Sequence, residues 1–241
     1  MLSKNNIKLI KSLEHKKFRL QHQLFVVEGV KSVQEFLKSD FQLERIYTID
    51  ADFNSNFTDK IEIISEDELK KISFLKSPNR VLAIFKMGLT PKVNSNNLIL
   101  ALDSINDPGN LGTIIRLCDW FGVEQIICST ETVDCYNPKV VQSTMGSLTR
   151  VKLYYTDLNQ FISTYNGEIL GTFMGGNNIY STELPKKGII VMGNEANGIS
   201  VEIENLITQK IAIPTFGNHQ ETESLNVATA TAIVLSEFRR S

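Results

Sequence analysis

The chain has 241 residues, 42% of them hydrophobic and 22% charged, with a formal net charge of −2 at neutral pH. This length exceeds the usual single domain of roughly 100–200 residues, and the composition is that of a folded protein, which points to two domains and excludes a disordered chain. No apolar run approaches the roughly 18 residues that would cross a bilayer, and the lysine-studded N-terminus lacks the apolar stretch of a signal peptide, so a cytoplasmic protein without a membrane partner is expected.

Residues 5–22 place Ile7, Ile10 and Leu13 at helical spacing among lysines, which predicts an amphipathic helix. Phe25-Val26-Val27 reads as a strand. The Glu28-Gly29 turn then leads into a helix with Val30, Val33, Phe36 and Leu37 on one face. Residues 45–49, 61–64 and 80–85 read as short strands, and 66–72 as a helix capped by Ser65. These elements make a small α/β domain over residues 1–87. Residues 88–97, rich in Gly, Pro, Ser and Asn, read as a linker.

The pattern then restarts with a strand at 98–102, a loop, a helix at 113–121 and a strand at 125–128. Further strands are predicted at 168–172, 188–192 and 210–213, with a closing helix over 225–239. Such alternation is the pattern of a parallel sheet covered by helices, so residues 98–241 are expected to form a second α/β domain.

Two features of composition bear on chemistry. Cys118, Cys128 and Cys135 are odd in number and lack C-x-x-C spacing or paired histidines, so neither a metal site nor a disulfide frame is expected. A pI of about 6.0 speaks against nucleic-acid binding on average, because phosphate contacts come from clustered Lys and Arg. The first segment is a local exception: Lys4, Lys8, Lys11, Lys16, Lys17 and Arg19 face a single acid, Glu14. That surface is either a solvated helix face or a phosphate-binding one.

Three glycine-and-polar motifs follow predicted strands. The first, Asn106-Asp107-Pro108-Gly109-Asn110-Leu111-Gly112, runs into a helix carrying Arg116. It lies at a strand's C-terminal end, where open α/β sheets bind ligands, and Asn110 and Arg116 offer an amide and a fixed cation. The second, Val191-Met192-Gly193-Asn194-Glu195-Ala196-Asn197-Gly198-Ile199-Ser200, lacks both G-x-G-x-x-G spacing and a P-loop lysine, which disfavours dinucleotides and triphosphates. A ligand without phosphates fits it better. The third joins Ile213-Pro214, after a polar loop, to Glu223-Ser224-Leu225-Asn226-Val227-Ala228. Ser224 reads as the helix N-cap, with Asn226 as a polar residue of the first turn.

Together and in this order, the motifs resemble those of the SpoU/TrmH class of SPOUT RNA methyltransferases. The Phe25-to-Gly29 run and its helix resemble the L30e-like substrate-binding domain that many members carry. The resemblance implies a deep trefoil knot in the C-terminal domain, a homodimer, S-adenosylmethionine as methyl donor, no metal, and methylation of a ribose 2′-hydroxyl in RNA, rRNA rather than tRNA. It assigns Gly193, Ile213, Leu225, Thr172 and Met192 to the donor. It assigns Arg116, Asn110, Glu195, Ser224 and Asn226 to a polar catalytic set. The 215–223 loop, which includes His219, is longer than in several relatives. A non-catalytic RNA-binding protein and a base methyltransferase on the same fold are the competing functions.

Overall fold

The structure is a computed structural model that describes residues 2–53, 55–88, 92–217 and 224–240. In chain order its elements are α1 (Lys4–Ser12), α2 (Lys16–His22), β1 (Leu24–Glu28), α3 (Val30–Leu37), β2 (Leu43–Thr48), β3 (Ile61–Ile63), α4 (Glu66–Ile72) and β4 (Val81–Lys86). There follow β5 (Leu98–Leu102), α5 (Pro108–Trp120), β6 (Gln125–Cys128), α6 (Pro138–Thr144), β7 (Lys152–Tyr155) and α7 (Leu158–Ser163). The chain continues with β8 (Ile169–Asn178), β9 (Gly188–Met192), α8 (Val201–Glu204), β10 (Gln209–Ala212) and α9 (Val227–Arg239). They form two compact units, one from the residues up to 88 together with Asp134–Thr149, the other from the remaining described residues.

In the first unit, β1-β4-β2-β3 form a four-stranded sheet in which β4 is antiparallel to both β1 and β2. Alternation along β1 sends Val26 into a core with Ile10, Leu13, Ile72, Leu82 and Ile84. Phe25 goes to the opposite face, among the rings of Phe36, Phe41, Phe85 and Tyr136. Both faces are therefore apolar, which explains why this strand reads as an unbroken hydrophobic run. Tyr136 enters this cluster from the segment 134–149, which lies within the C-terminal stretch of the sequence; its phenol is pushed above its ordinary pKa by burial.

The single helix expected over 5–22 is instead two. Arg19, 2% exposed, folds back so that its guanidinium donates to the carbonyls of Leu13 (2.9 Å) and Glu14 (2.7 Å), which the break leaves without helical partners. Its other nitrogens donate to Asp134 Oδ2 at 2.9 and 2.5 Å. Arg19 is thus a structural cation, not the phosphate contact that the cluster of basic residues suggested. Lys11 is also engaged, donating to the Ser73 carbonyl at 3.0 Å with its ammonium over the Phe74 ring. The helix over 66–72 appears as expected, with a full capping box between Ser65 and Glu68.

The second unit holds a six-stranded, wholly parallel sheet in the order β10-β8-β9-β5-β6-β7. All five residues of β5 and of β9 are buried, as suits central strands covered on both faces. From β5 the chain runs outward through β6 and β7 and then returns to build β8, β9 and β10 on the other side. This makes the β5/β9 boundary a topological switch point, where parallel sheets open a crevice beyond their C-terminal ends. Burial raises the thiol pKa of Cys118 and Cys128, which leaves both as neutral core side chains. Among the described residues no helix is long and apolar enough to cross a membrane, and no cluster of His, Cys, Asp or Glu could hold a metal ion.

Two helix starts differ from expectation. Helix α5 begins at Pro108, so Gly109 and Gly112 lie within its first turns and not in a loop. Asp107 accepts from the Asn110 amide at 2.7 Å and Pro108 supplies a preset φ, which together outweigh the glycines' low propensity. Helix α9 begins at Val227 and is capped by Asn226, not Ser224. Helices α6 and α7, capped by Asn137 and Asp157, are absent from the sequence reading although each has a cap residue opening it.

Replacing Asp134 by Ala is expected to destabilise the first unit by about 3–5 kcal/mol, because it strands the buried Arg19 charge. Urea unfolding of the two proteins measures the difference.

Candidate functional site

At the C-terminal end of β5 the chain leaves the sheet through Asp103, whose backbone N–H donates to Met192 O at 3.0 Å. Ser104 follows in the left-handed region, φ +60°, with its N–H on Ser129 Oγ. Across the boundary, β9 ends at Met192 and enters the second motif. There Asn194 and Gly198 exchange two backbone hydrogen bonds of 2.9 Å, closing a tight loop. A Cβ on Gly193 would lie 2.3 Å from the Gly198 carbonyl carbon and the Ile199 nitrogen, so no side chain fits there. Gly198 itself has φ +69°, a conformation costly for other residues. Asn194 Oδ1 accepts from the N–H groups of Ala196 and Asn197, which fixes the interior of the loop.

Asn110, Glu195 and Asn226 form one hydrogen-bonded chain. Asn226 Nδ2 donates to Asn110 Oδ1 at 2.9 Å, and Asn110 Nδ2 donates to Glu195 Oε1 at 2.5 Å. Asn226 also caps α9, its Oδ1 accepting from Ala228 N (3.0 Å) and Thr229 N (3.2 Å). One side chain from each of the three motifs is thereby held against the next. The arrangement depends on side-chain amides, which donate and accept at once.

The other expected residues are distributed around this chain of bonds. Thr172, half-buried on β8, donates its hydroxyl to the Val191 carbonyl at 3.3 Å. Met192 is buried at the end of β9, and Ile213 is half-buried just beyond β10. Leu225 is 46% exposed, just before α9. Ser224 is exposed and takes no part in the Asn226–Asn110–Glu195 bonds. Arg116 is exposed on α5, six residues after Asn110 and so about 120° round the helix axis from it. It makes no hydrogen bond or ion pair among the described residues. Thr215, Phe216 and Gly217 are exposed, whereas the remainder of the 215–223 loop, His219 included, lies outside the described residues.

Sequence reading gave no role to three residues that shape this edge: Asp103, and Asn194 and Ser200 of the second motif's run. An acid directly after the apolar run of β5 was the available signal for Asp103.

Residues 97–236 match the model of the SpoU rRNA Methylase family. The chain belongs to that family. Residues 4–83 of this SpoU-family protein match the MRM3-like substrate binding domain. Over 237 residues it is 28% identical to the 23S rRNA (guanosine(2553)-2′-O)-methyltransferase RlmP of Bacillus subtilis, covering 95% of this chain and 94% of the relative. It is 34% identical over 149 residues to the 23S rRNA (guanosine-2′-O-)-methyltransferase RlmB of Neisseria meningitidis, covering 59% and 58%. Among solved structures it resembles one described as a TrmH-family RNA methyltransferase from Porphyromonas gingivalis, with TM-score 0.92 and 36% identity over 100% of this chain and 99% of that one. It also resembles an AdoMet-bound rRNA methyltransferase from Sinorhizobium meliloti, with TM-score 0.88 and 28% identity, covering 100% and 97%.

Asn226→Ala is expected to cost about 1 kcal/mol through loss of the α9 cap, and Asn226→Ser to restore most of it. Chemical denaturation of the three proteins checks the order.

Proposed function

We propose that this SpoU-family protein transfers a methyl group from S-adenosylmethionine to a ribose 2′-hydroxyl in RNA, with ribosomal RNA as the substrate. The observation that carries this reading is the Asn226–Asn110–Glu195 chain, which joins all three motifs at the switch point of the parallel sheet. The relatives named as 23S rRNA 2′-O-methyltransferases support the substrate, and the AdoMet-bound relative supports the donor. The proposed site of action is the cytoplasm, a reading that ribosomal RNA as substrate supports.

The residues fit such a donor. The Gly193–Gly198 loop is closed by its own backbone bonds, has no room for a side chain at Gly193, and offers no lysine for a phosphate. Gly193, Ile213, Leu225, Thr172 and Met192 are the residues proposed to hold the donor, Leu225 and Ile213 through apolar contact and the loop through its peptide groups. When bound, the donor supplies a methyl group made electrophilic by its sulfonium sulfur. The knot implied by the family resemblance belongs to the same reading.

The ribose hydroxyl must shed its proton as it becomes nucleophilic, and the protein must stabilise the oxygen's growing negative charge. A guanidinium is a poor general base, so the task proposed for Arg116 is to hold an RNA phosphate and the developing alkoxide. Its guanidinium has no partner among the described residues, which suits a group waiting for an anion. Asn110, Glu195, Asn226 and Ser224 are proposed to orient the ribose and the two loops. The proposed partner besides RNA is a second copy of the chain.

Arg116→Ala is expected to abolish methylation while leaving S-adenosylmethionine affinity within twofold. Calorimetry and nucleoside analysis of the product read the two effects, and full turnover by the variant would sink the assignment. With Arg19 and Lys11 committed to structure, the phosphate contacts proposed for the first unit narrow to Lys4, Lys8, Lys16 and Lys17. Changing all four to Gln is expected to flatten the salt dependence of RNA binding, by roughly 0.7 in log–log slope for each phosphate no longer neutralised.

A further inference from the structure

Asp103 is 6% exposed and lies outside the three motifs, yet it is bonded to the loop that the second motif forms. Its Oδ2 accepts from Ser200 N at 2.8 Å and from Ser200 Oγ at 2.7 Å. Ser200 stands at the N-cap position of α8, but its hydroxyl makes no capping bond there; it is diverted to Asp103. A buried carboxylate is tolerable only when its oxygens are satisfied, so Asp103 and Ser200 hold each other in place.

The next residue acts on the loop's other end. Asn194 Nδ2 donates to the Ser104 carbonyl at 2.7 Å, with Ser104 in the left-handed conformation that few residues other than glycine adopt. Asp103 and Ser104 therefore clasp the loop at both its entry and its exit. Between the two clasps lie Glu195, which receives the Asn110 amide, and Gly198, folded back on Gly193.

We propose that Asp103 is a positioning residue that sets the Gly193–Ser200 loop in its donor-binding shape before the donor arrives. Bonds made in advance remove the ordering cost from the binding step. The proposal rests on the donor role given above to this loop. It adds that the loop's shape is imposed from β5, through the Asp103 carboxylate, and is not intrinsic to the glycines.

The test uses the full chain. If calorimetry finds no S-adenosylmethionine binding by the unaltered protein, the donor reading itself fails. Given binding, Asp103→Asn is expected to weaken it about tenfold, ~1.4 kcal/mol. It should raise the donor KM while keeping most of kcat at saturating donor. Amide hydrogen exchange without donor should quicken at Asn194 and Gly198 and stay unchanged in α5. Ser200→Ala, which removes one of the two bonds, should weaken binding roughly threefold with the same local change in exchange. Unchanged donor affinity in either folded variant overturns the proposal. So does a variant whose only defect is a smaller folded fraction with normal affinity in the remainder. If Asp103→Asn does not fold, the Ser200→Ala measurement decides alone.

Discussion

The amide of Asn110 joins segments that lie 85 and 116 residues away along the chain. It gives its N–H to Glu195 and takes one from Asn226, so a residue that only donates or only accepts could bond to one neighbour but not to both. An aspartate there would face Glu195 with a second carboxylate, and an apolar residue would leave both ends unpaired. Its position follows from the cap below it: Asp107 receives the Asn110 backbone N–H, which starts α5 early enough to carry the amide into the site.

Beneath this chain of polar bonds is a rigid apolar support. Strands β5 and β9 are buried throughout, pair in parallel, and end together at Leu102 and Met192. The polar chemistry begins where the strands stop, which is where backbone groups lose their sheet partners and become available to side chains and ligands. Gly193 sits at that point because the returning backbone of Gly198 and Ile199 occupies the space of a side chain. The proposed donor site is thus a place where the chain crosses itself closely, and most of its lining is peptide.

The first unit uses its charges differently from what their number suggests. Arg19 commits its bonds to the break between α1 and α2 and to Asp134, and Lys11 commits its own to Ser73 and Phe74. A count of cations along a helix cannot tell which of them are drawn inward, because that depends on a carboxylate more than a hundred residues away. The capping box at Ser65 and Glu68 was legible for the opposite reason: its partners are three residues apart.

The same distinction runs through the whole protein. Hydrophobic period and turn residues determined the class of the fold, the strands 98–102, 125–128 and 188–192, and the helix at 66–72, since each depends on neighbours in the chain. The order of glycine-and-polar motifs determined the family. Only the tertiary structure decided that Asn226 and not Ser224 caps α9, that Arg116 stands apart from the Asn110–Glu195 pair, and that Asp103 grips Ser200. Those outcomes depend on which polar groups meet after the sheet has closed. A buried donor or acceptor takes the partner that folding brings to it, and sequence distance carries no information about that choice.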